Sequence, residues 1–243
     1  ALKAQALSAR TYYVKQMMSP KKVGVPEGAQ LIDTAEIHQV FMNKEELKKH
    51  WDVDYNWKIK KITEAVRATD GQVLTYEGTP IDATFFSTSN GFTENSEEYW
   101  SNAYPYLRSV ESPWDLKSPK FRDQKVMSIT DVETKLGVKL PNSSEIGKII
   151  SRTTGNRVGK IDINGKILTG KEVRDNLGLK SSDFSWELKG SNVVITTEGF
   201  GHGVGMSQYG ANGMATEGKN YQDIVKHYYK GVEISEADSM LTK

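Results

Sequence analysis

Residues 199 to 218 read GFGHGVGMSQYGANGMATEG and set Gly199, Gly201, Gly203, Gly205 and Gly210 around a single imidazole, that of His202. Glycine reaches positive φ and lets a ligand or a second backbone come close, and histidine can donate, accept or carry a proton near neutral pH. That combination suits a polar cleft, with His202, Ser207 and Gln208 as hydrogen-bonding groups. The same string also reads as a tight turn around a hydrogen-bonded structural histidine. It does not match G-x-x-x-x-G-K-[ST], so a nucleotide-binding P-loop is excluded. Read alone, these residues give a glycine-lined cleft beside a helix N-terminus.

Two further groups have chemical potential. STSNGFTENSEEYW, residues 87 to 100, is a run of small hydroxyl residues followed by Glu94, Glu97 and Glu98. Carboxylates at a strand-to-loop exit suit acid/base work, and a solvated, turn-rich surface explains them as cheaply. In ALKAQALSARTYYVKQM the polar residues Gln5, Ser8 and Tyr12 are three and four positions apart, which at about 100° per residue puts them on one helix face. A substrate-facing stripe and a solvated flank fit that spacing equally.

The elements that must position these groups follow from periodicity and punctuation. Leu2, Ala6, Ala9 and Tyr13 recur at helical spacing in the first segment, which predicts them as its core face. The opening residues read as a helix already under way, so the expectation is a fragment of a longer chain. SPKKVGVPEGAQLID is loop by its proline and glycine content. KEELKKHWDVDYNWKIKKITEAVRATDG predicts a helix with Asn43 as N-cap, Glu46 as its reciprocal partner and Gly71 as its stop, with an interruption at Asp52 to Asn56 allowed. QVLTYEG and IDATFFSTS, separated by Gly-Thr-Pro, predict a hairpin. AYPYLRSVESPWD, rich in proline and aromatics, reads as packing.

From about Lys120 the texture changes. SITDVETKLG and LTGKEVRDNLG predict short helices, RVGKIDINGKIL a hairpin turning at Asn164-Gly165, and SDFSWELKGSNVVITTEG a second hairpin turning near Gly190. The expected fold class is α+β, with a core formed by residues 1 to 119 and 197 to 243 and a small inserted α+β subdomain at 120 to 196. GVGMSQYGANGMATEG predicts a helix with Ser207 near its start, and Asn220 with Asp223 caps another over YQDIVKHYYKG.

The chain has 243 residues, enough for a substantial core, and 32 basic against 31 acidic side chains give a formal charge of +1. Nothing in that balance argues for nucleic acid or an acidic membrane surface as a partner. The absence of cysteine removes disulfides, thiolate zinc sites and thiol nucleophiles. No apolar run approaches the ~18 residues of a membrane span.

Five blocks in order carry a resemblance. ALKAQALSARTY at 1 to 12, SNGFTE at 89 to 94, PYLRSVESPWD at 105 to 115, LTGKEVRDNLGL at 168 to 179 and GHGVGMSQYGA at 201 to 211 together resemble the SpoIID/LytB domain family. The resemblance implies lytic transglycosylation of peptidoglycan: cleavage between N-acetylmuramic acid and N-acetylglucosamine in peptide-stripped glycan strands, leaving 1,6-anhydro ends, during engulfment in endospore formation. It implies work beside a sporulation amidase and a membrane scaffold, outside the cytoplasmic membrane, with an N-terminal anchor upstream of Ala1.

In the family's pattern the catalytic glutamate stands directly before the alanine matching Ala1, so the expectation is that the acid precedes this chain and that the chain as given is inert. The resemblance assigns substrate contacts to Gln5, Ser8 and Tyr12 on one wall. On the other it assigns Ser87, Ser89 and Gly91, together with His202, Gly203, Gly205, Met206, Ser207 and Gln208. Arg10, on the helix's other flank, is expected to be an internal salt-bridge partner. Some relatives look able to hold zinc through a cysteine and a histidine in the loop matching STSNGFTE; this loop has neither, so no zinc is expected. Two rival readings remain: a non-catalytic wall-binding module that enhances an amidase, and an interaction module that assembles the engulfment machinery.

Overall fold

A computed structural model of the chain describes residues 1–19, 25–29, 40–141 and 145–237. Its helices are α1 (Leu2–Met18), α2 (Lys44–Trp51), α3 (Tyr55–Arg67), α4 (Ser96–Tyr99), α5 (Ile129–Leu136), α6 (Gly170–Leu177), α7 (Gln208–Thr216) and α8 (Tyr221–Tyr228). The first strands are β1 (Gln72–Tyr76), β2 (Thr79–Pro80), β3 (Phe85–Phe86), β4 (Arg122–Ser128), β5 (Lys148–Arg152) and β6 (Val158–Ile163). They are followed by β7 (Lys166–Thr169), β8 (Phe184–Lys189), β9 (Asn192–Glu198), β10 (Met206–Ser207) and β11 (Glu233–Glu236). The class is α+β, as expected. Two compact units divide the chain, one of Ala1–Ala83 with Gly231–Lys243 and one of Thr84–Lys230.

In the first unit, α1 lies along β1 and α3, and β1 is the middle strand of an antiparallel sheet ordered β11-β1-β2. The register pairs Gln72 with Glu236 and Tyr76 with Thr79. The buried face of α1 is Ala4, Leu7, Ser8, Thr11 and Val14, opposite the predicted one, and Leu2 is 44% exposed. Apolar residues surround this helix on all sides, so periodicity alone picks no face. The decision falls to Thr11, whose hydroxyl donates to Leu7 O (2.7 Å) and accepts Leu74 N–H (2.8 Å), so a buried polar residue loses nothing.

The long second helix is broken as foreseen. α2 opens with the predicted capping box, Asn43 accepting from Glu45 and Glu46 N–H while Glu46 accepts Asn43 N–H. At Asp52, φ is 44°, which no helix sustains, and a single 3-10 turn over Asp52–Asp54 leads into α3. α3 stops at Arg67, short of Gly71.

The expected hairpin is much shorter than predicted. The turn is Glu77-Gly78, both at positive φ (49° and 74°), and the return strand is only Thr79–Pro80. Pro80 has no N–H for a ladder, so pairing stops after Ile81 N–H reaches Leu74 O at 3.1 Å. IDATFFSTS therefore does not run back along β1; its Phe85 and Phe86 form β3, paired in parallel with Met206 and Ser207 of β10. The predicted loop at residues 19 to 33 falls in large part outside the described residues.

The second unit contains two further antiparallel sheets, β4-β9-β8 and β5-β6-β7. Both predicted hairpins form. The first, between β6 and β7, turns at Asn164-Gly165 (φ 52° and 86°), and the second, between β8 and β9, turns at Gly190 (φ 61°). α5 and α6 each start from a hydroxyl cap, Ser128 and Thr169, and end on a left-handed glycine, Gly137 and Gly178. Their apolar faces join both sheets in one core that includes Val132, Leu136, Ile161, Ile163, Val173 and Ile195, all within the range read as an insertion. Val126 at 62% exposure shows that β4 keeps one face in water.

Candidate functional site

The glycine-rich segment joins β9 to β10 inside the second unit. Gly199, Gly201, Gly203 and Gly205 have φ values of 85°, 119°, 87° and 81°, so every second residue takes a conformation that side chains resist. At three of them the space also demands glycine, and a Cβ on Gly201 would stand 2.7 Å from Phe86 Cβ. A Cβ on Gly205 would stand 2.1 Å from Thr84 O, and one on Gly203 would stand 2.6 Å from the Arg157 guanidinium carbon. What approaches these glycines is the protein's own chain. Gly91, at φ 107°, has nothing within 4 Å of where a Cβ would stand.

His202 is half-buried, and both ring nitrogens are engaged inside the loop. Nδ1 accepts Val204 N–H at 3.1 Å, which leaves the proton on Nε2 to donate to Phe85 O at 3.1 Å. Trp100, Phe86 and Tyr99 surround it, with ring centroids 5.0, 5.6 and 5.9 Å away. Burial, and after it the positive charge of Arg174, lower its pKa to about 4, against the pull of the Phe85 carbonyl. The ring is a neutral pin between the glycine-rich segment and β3.

Ser207 is buried and caps α7, accepting Gly210 N–H at 3.2 Å. Its hydroxyl donates to Asp115 Oδ1 at 2.6 Å, and Oδ2 of the same carboxylate receives Ser112 (2.6 Å) and Ser89 (2.9 Å). Tyr228 closes the cluster through a 2.6 Å hydroxyl contact with Ser112. Met206 is buried beside Phe85, whereas Gln208 is exposed at the first turn of α7. Ser87 is half-buried and its carbonyl accepts Tyr209 N–H at 3.1 Å.

The three glutamates have separate settings. Glu97 is paired with Arg108, which holds its carboxyl down at about 2. Glu98 accepts Thr154 N–H at 2.8 Å. Glu94 is buried against Arg157, with side chains 1% and 2% exposed and Oε1 2.8 Å from Nη1. Thr153 also donates to that oxygen at 2.8 Å. The Glu94 backbone N–H bonds Gly203 O at 2.8 Å, so the ion pair and the glycine-rich segment are stitched together. Beside it a recess of about 140 Å³ is walled by Glu94, Glu98, Tyr99, Trp100 and Lys171 among others.

In the first unit, Ser8 is buried, and Gln5 and Tyr12 are half-buried on the adjoining flank of α1. Burial and then the negative charge of Asp82 raise the Tyr12 phenol above its usual range. Among the described residues Arg10 has no salt-bridge partner, contrary to expectation. Its guanidinium donates to Thr69 O, Gln72 O (3.2 Å) and Val66 O (3.1 Å), closing off carbonyls in the last turn of α3 and just beyond it. Gln5, Ser8 and Tyr12 are thus on one unit, and the Ser87 to Gly91 loop with His202 to Gln208 on the other.

The sequence reading missed Arg157, Asp115 and Trp100. Arg157 lies in TTGNRVGK, 63 residues from its partner Glu94 and without a motif. Asp115 belongs to a segment read as packing; Ser112 is its S-x-x-D neighbour, but Ser89 and Ser207, 26 and 92 residues away, have no visible link to it in the sequence. Among the described residues no three His, Cys, Asp or Glu side chains stand together as a metal site. No described helix is long and apolar enough to cross a membrane.

Comparison with known proteins places these elements in context. The family described as Stage II sporulation protein matches residues 1–76. Stage II sporulation protein D of Bacillus subtilis (strain 168) is 55% identical over 243 residues, covering 100% of this chain and 71% of that protein. The Bacillus amyloliquefaciens protein of the same name is 54% identical, covering 100% and 70%. More distantly, the Amidase enhancer of Bacillus subtilis (strain 168) is 30% identical over 97% of this chain and 38% of its own length.

Proposed function

From membership of the stage II sporulation protein D family, to which this chain belongs, we propose that it is the catalytic region of a peptidoglycan lytic transglycosylase acting on peptide-stripped glycan strands during engulfment. The observation that carries the reading is 55% identity running the whole length of the chain. The half-buried polar flank of α1, Gln5 and Tyr12 above all, supports it as a wall for sugar hydroxyls.

In this proposal the acid is the glutamate that the family pattern sets directly before Ala1. It protonates the glycosidic oxygen between N-acetylmuramic acid and N-acetylglucosamine, and the C1–O bond breaks. The resulting carboxylate takes the proton of the muramyl C6 hydroxyl as O6 closes on C1, which gives the 1,6-anhydro end and returns the acid to its starting state. Water is not consumed. On the second unit, Ser87, Gly91 and Gln208, which are at least partly exposed, are proposed as the further contacts, while the buried Ser89 and the Gly203 to Ser207 segment support them from beneath. His202 and Ser207 act there by fixing the backbone, Gln208 by direct contact. We place the protein outside the cytoplasmic membrane, held by an upstream anchor and working with an amidase and a membrane scaffold; residues 120 to 196 serve as a supporting subdomain.

A second reading is favoured by the likeness to the Amidase enhancer: a wall-binding module that stimulates an amidase without cutting glycan. The test is a digest of peptide-free glycan strands with a chain extended upstream to include the glutamate, alongside this chain, read by mass spectrometry. Anhydro-ended products from the extended chain alone are expected. Strand binding by both without cleavage by either overturns the enzyme in favour of the enhancer.

A further inference from the structure

Two lysines that have no part in the scheme above meet at one aromatic ring. Lys180 Nζ lies 4.7 Å and Lys120 Nζ 5.6 Å from the ring centre of Phe200, which is half-buried in the glycine-rich segment. The backbone brings them there. Gly199 N–H bonds Phe121 O at 2.7 Å and Gly201 N–H bonds Lys180 O at 2.9 Å, so the two lysine-bearing stretches are fastened to the residues before and after Phe200. Phe200 itself exchanges both backbone hydrogen bonds with Thr88, at 2.7 and 3.0 Å, beside Ser87. All of these residues belong to the second unit.

Both lysines are exposed, and among the described residues neither makes an ion pair. The acids of the adjoining sheet β4-β9-β8 are already matched. Glu198 stands across the ladder from Arg122, Asp123 shares its face of β4 with Lys125, and Glu187 faces Lys189 at 2.7 Å. Asp183, just before β8, is held by Arg152 (3.1 Å) and Asn90 (2.8 Å). Lys120 and Lys180 are therefore positive charges in excess. Gathering two like charges on one ring costs Coulomb repulsion, which the negative faces of the ring offset in part. An anion that meets both ammoniums turns that repulsion into attraction.

Hydrolysis of the amide that ties a stem peptide to N-acetylmuramic acid frees the carboxylate of the lactyl ether, one negative charge per disaccharide. Where the peptide remains, the same carbon is a neutral amide. We propose that Lys120 and Lys180, gathered on Phe200, form a carboxylate subsite that holds the lactyl group of a stripped muramyl unit and thereby selects stripped strands. It rests on the glycan-strand reading and gives the preference for stripped strands a basis in named residues. A lysine ammonium is a compact charge on a flexible stem, which suits an ether arm that can rotate, and its hydrogen bonds to a carboxylate are charge-assisted.

The experiment is sedimentation of the full chain, at low and at physiological salt, with three forms of one glycan strand: peptide-stripped, stripped with each lactyl carboxylate converted to its neutral methylamide, and peptide-bearing. The stripped form is expected to bind about tenfold more tightly than the other two, by a margin that narrows as salt is raised. The double variant Lys120→Gln/Lys180→Gln is expected to bring the stripped form down to the level of the methylamide, whereas Lys60→Gln/Lys61→Gln, on the exposed face of α3 in the first unit, keeps the margin. Equal loss in that control pair would show general charge attraction and overturn the subsite. So would a margin that survives in Lys120→Gln/Lys180→Gln, equal binding of the stripped and methylamide forms, or peptide-bearing strands bound as tightly as stripped ones; each leaves the glycan reading intact. Failure of all three forms to bind would overturn both.

Discussion

One hydroxyl, that of Ser207, both starts α7 and donates to Asp115, which lies 92 residues earlier in the chain. The helix start and the PYLRSVESPWD segment are thereby tied into one piece, with Ser89 and Ser112 on the same carboxylate. Asp115→Asn turns one of its acceptor oxygens into an N–H₂ donor among three hydroxyls. We expect a loss of about 3 kcal/mol in urea unfolding, against about 1 kcal/mol for Tyr228→Phe, which removes only the outer contact.

Two glycines with similar backbones should respond very differently to alanine. Gly205→Ala would force a Cβ to within 2.1 Å of Thr84 O at φ 81°, whereas Gly91→Ala at φ 107° meets open space. The expected losses are about 3 kcal/mol or more for the first and about 1 kcal/mol for the second, read from thermal melts. Equal losses would mean that conformation, and not the close approach, sets the requirement for glycine.

Arg10 fixes the end of α3 through carbonyls. Arg10→Ala should cost about 2 kcal/mol, and Arg10→Lys should restore less than half of it, since an ammonium cannot span the Val66, Thr69 and Gln72 carbonyls. Denaturant midpoints of the three proteins check this.

His202 makes stability depend on pH in a known direction. Its pKa is about 4 in the fold against 6.5 unfolded, so between those values the unfolded chain binds the extra proton. The stabilisation is complete above about pH 6.5 and is lost as pH falls toward about 4, a change of about 2 kcal/mol after allowance for the ring's partial exposure. His202→Asn should flatten that part of the profile when melting temperature is followed from neutral pH down to the folded-state pKa.

Local grammar was legible where local chemistry decides. The Asn43–Glu46 and Asn220–Asp223 boxes, the Asn164-Gly165 turn and the Ser207 start each involve residues a few positions apart, and each forms. The buried side of α1 was not legible, because Ser8 and Thr11 go inside only by grace of partners such as Leu74 N–H, 63 residues on. β4 and β5 were invisible for a related reason: RDQKVMS and KIISR are largely exposed and show no clean alternation, and their ladders are completed by β9 and β6. The Glu94–Arg157 pair is the extreme case. A buried arginine is defined by its partner, and nothing near TTGNRVGK names one. The glutamate cluster was seen, but only the fold separates a buried member from two surface ones.

The pairing of β1 with β11 also bears on how the chain is made. Every strand of the second unit finds its neighbours within Thr84–Lys230, so that unit can close as soon as it has emerged. β1 is synthesised before any of it, yet one of its two ladders waits for Glu233–Glu236. At ordinary translation speeds the delay is on the order of ten seconds. The unit begun first is therefore finished last, and an interruption anywhere in the intervening stretch leaves α1 and β1 without the strand that completes their sheet.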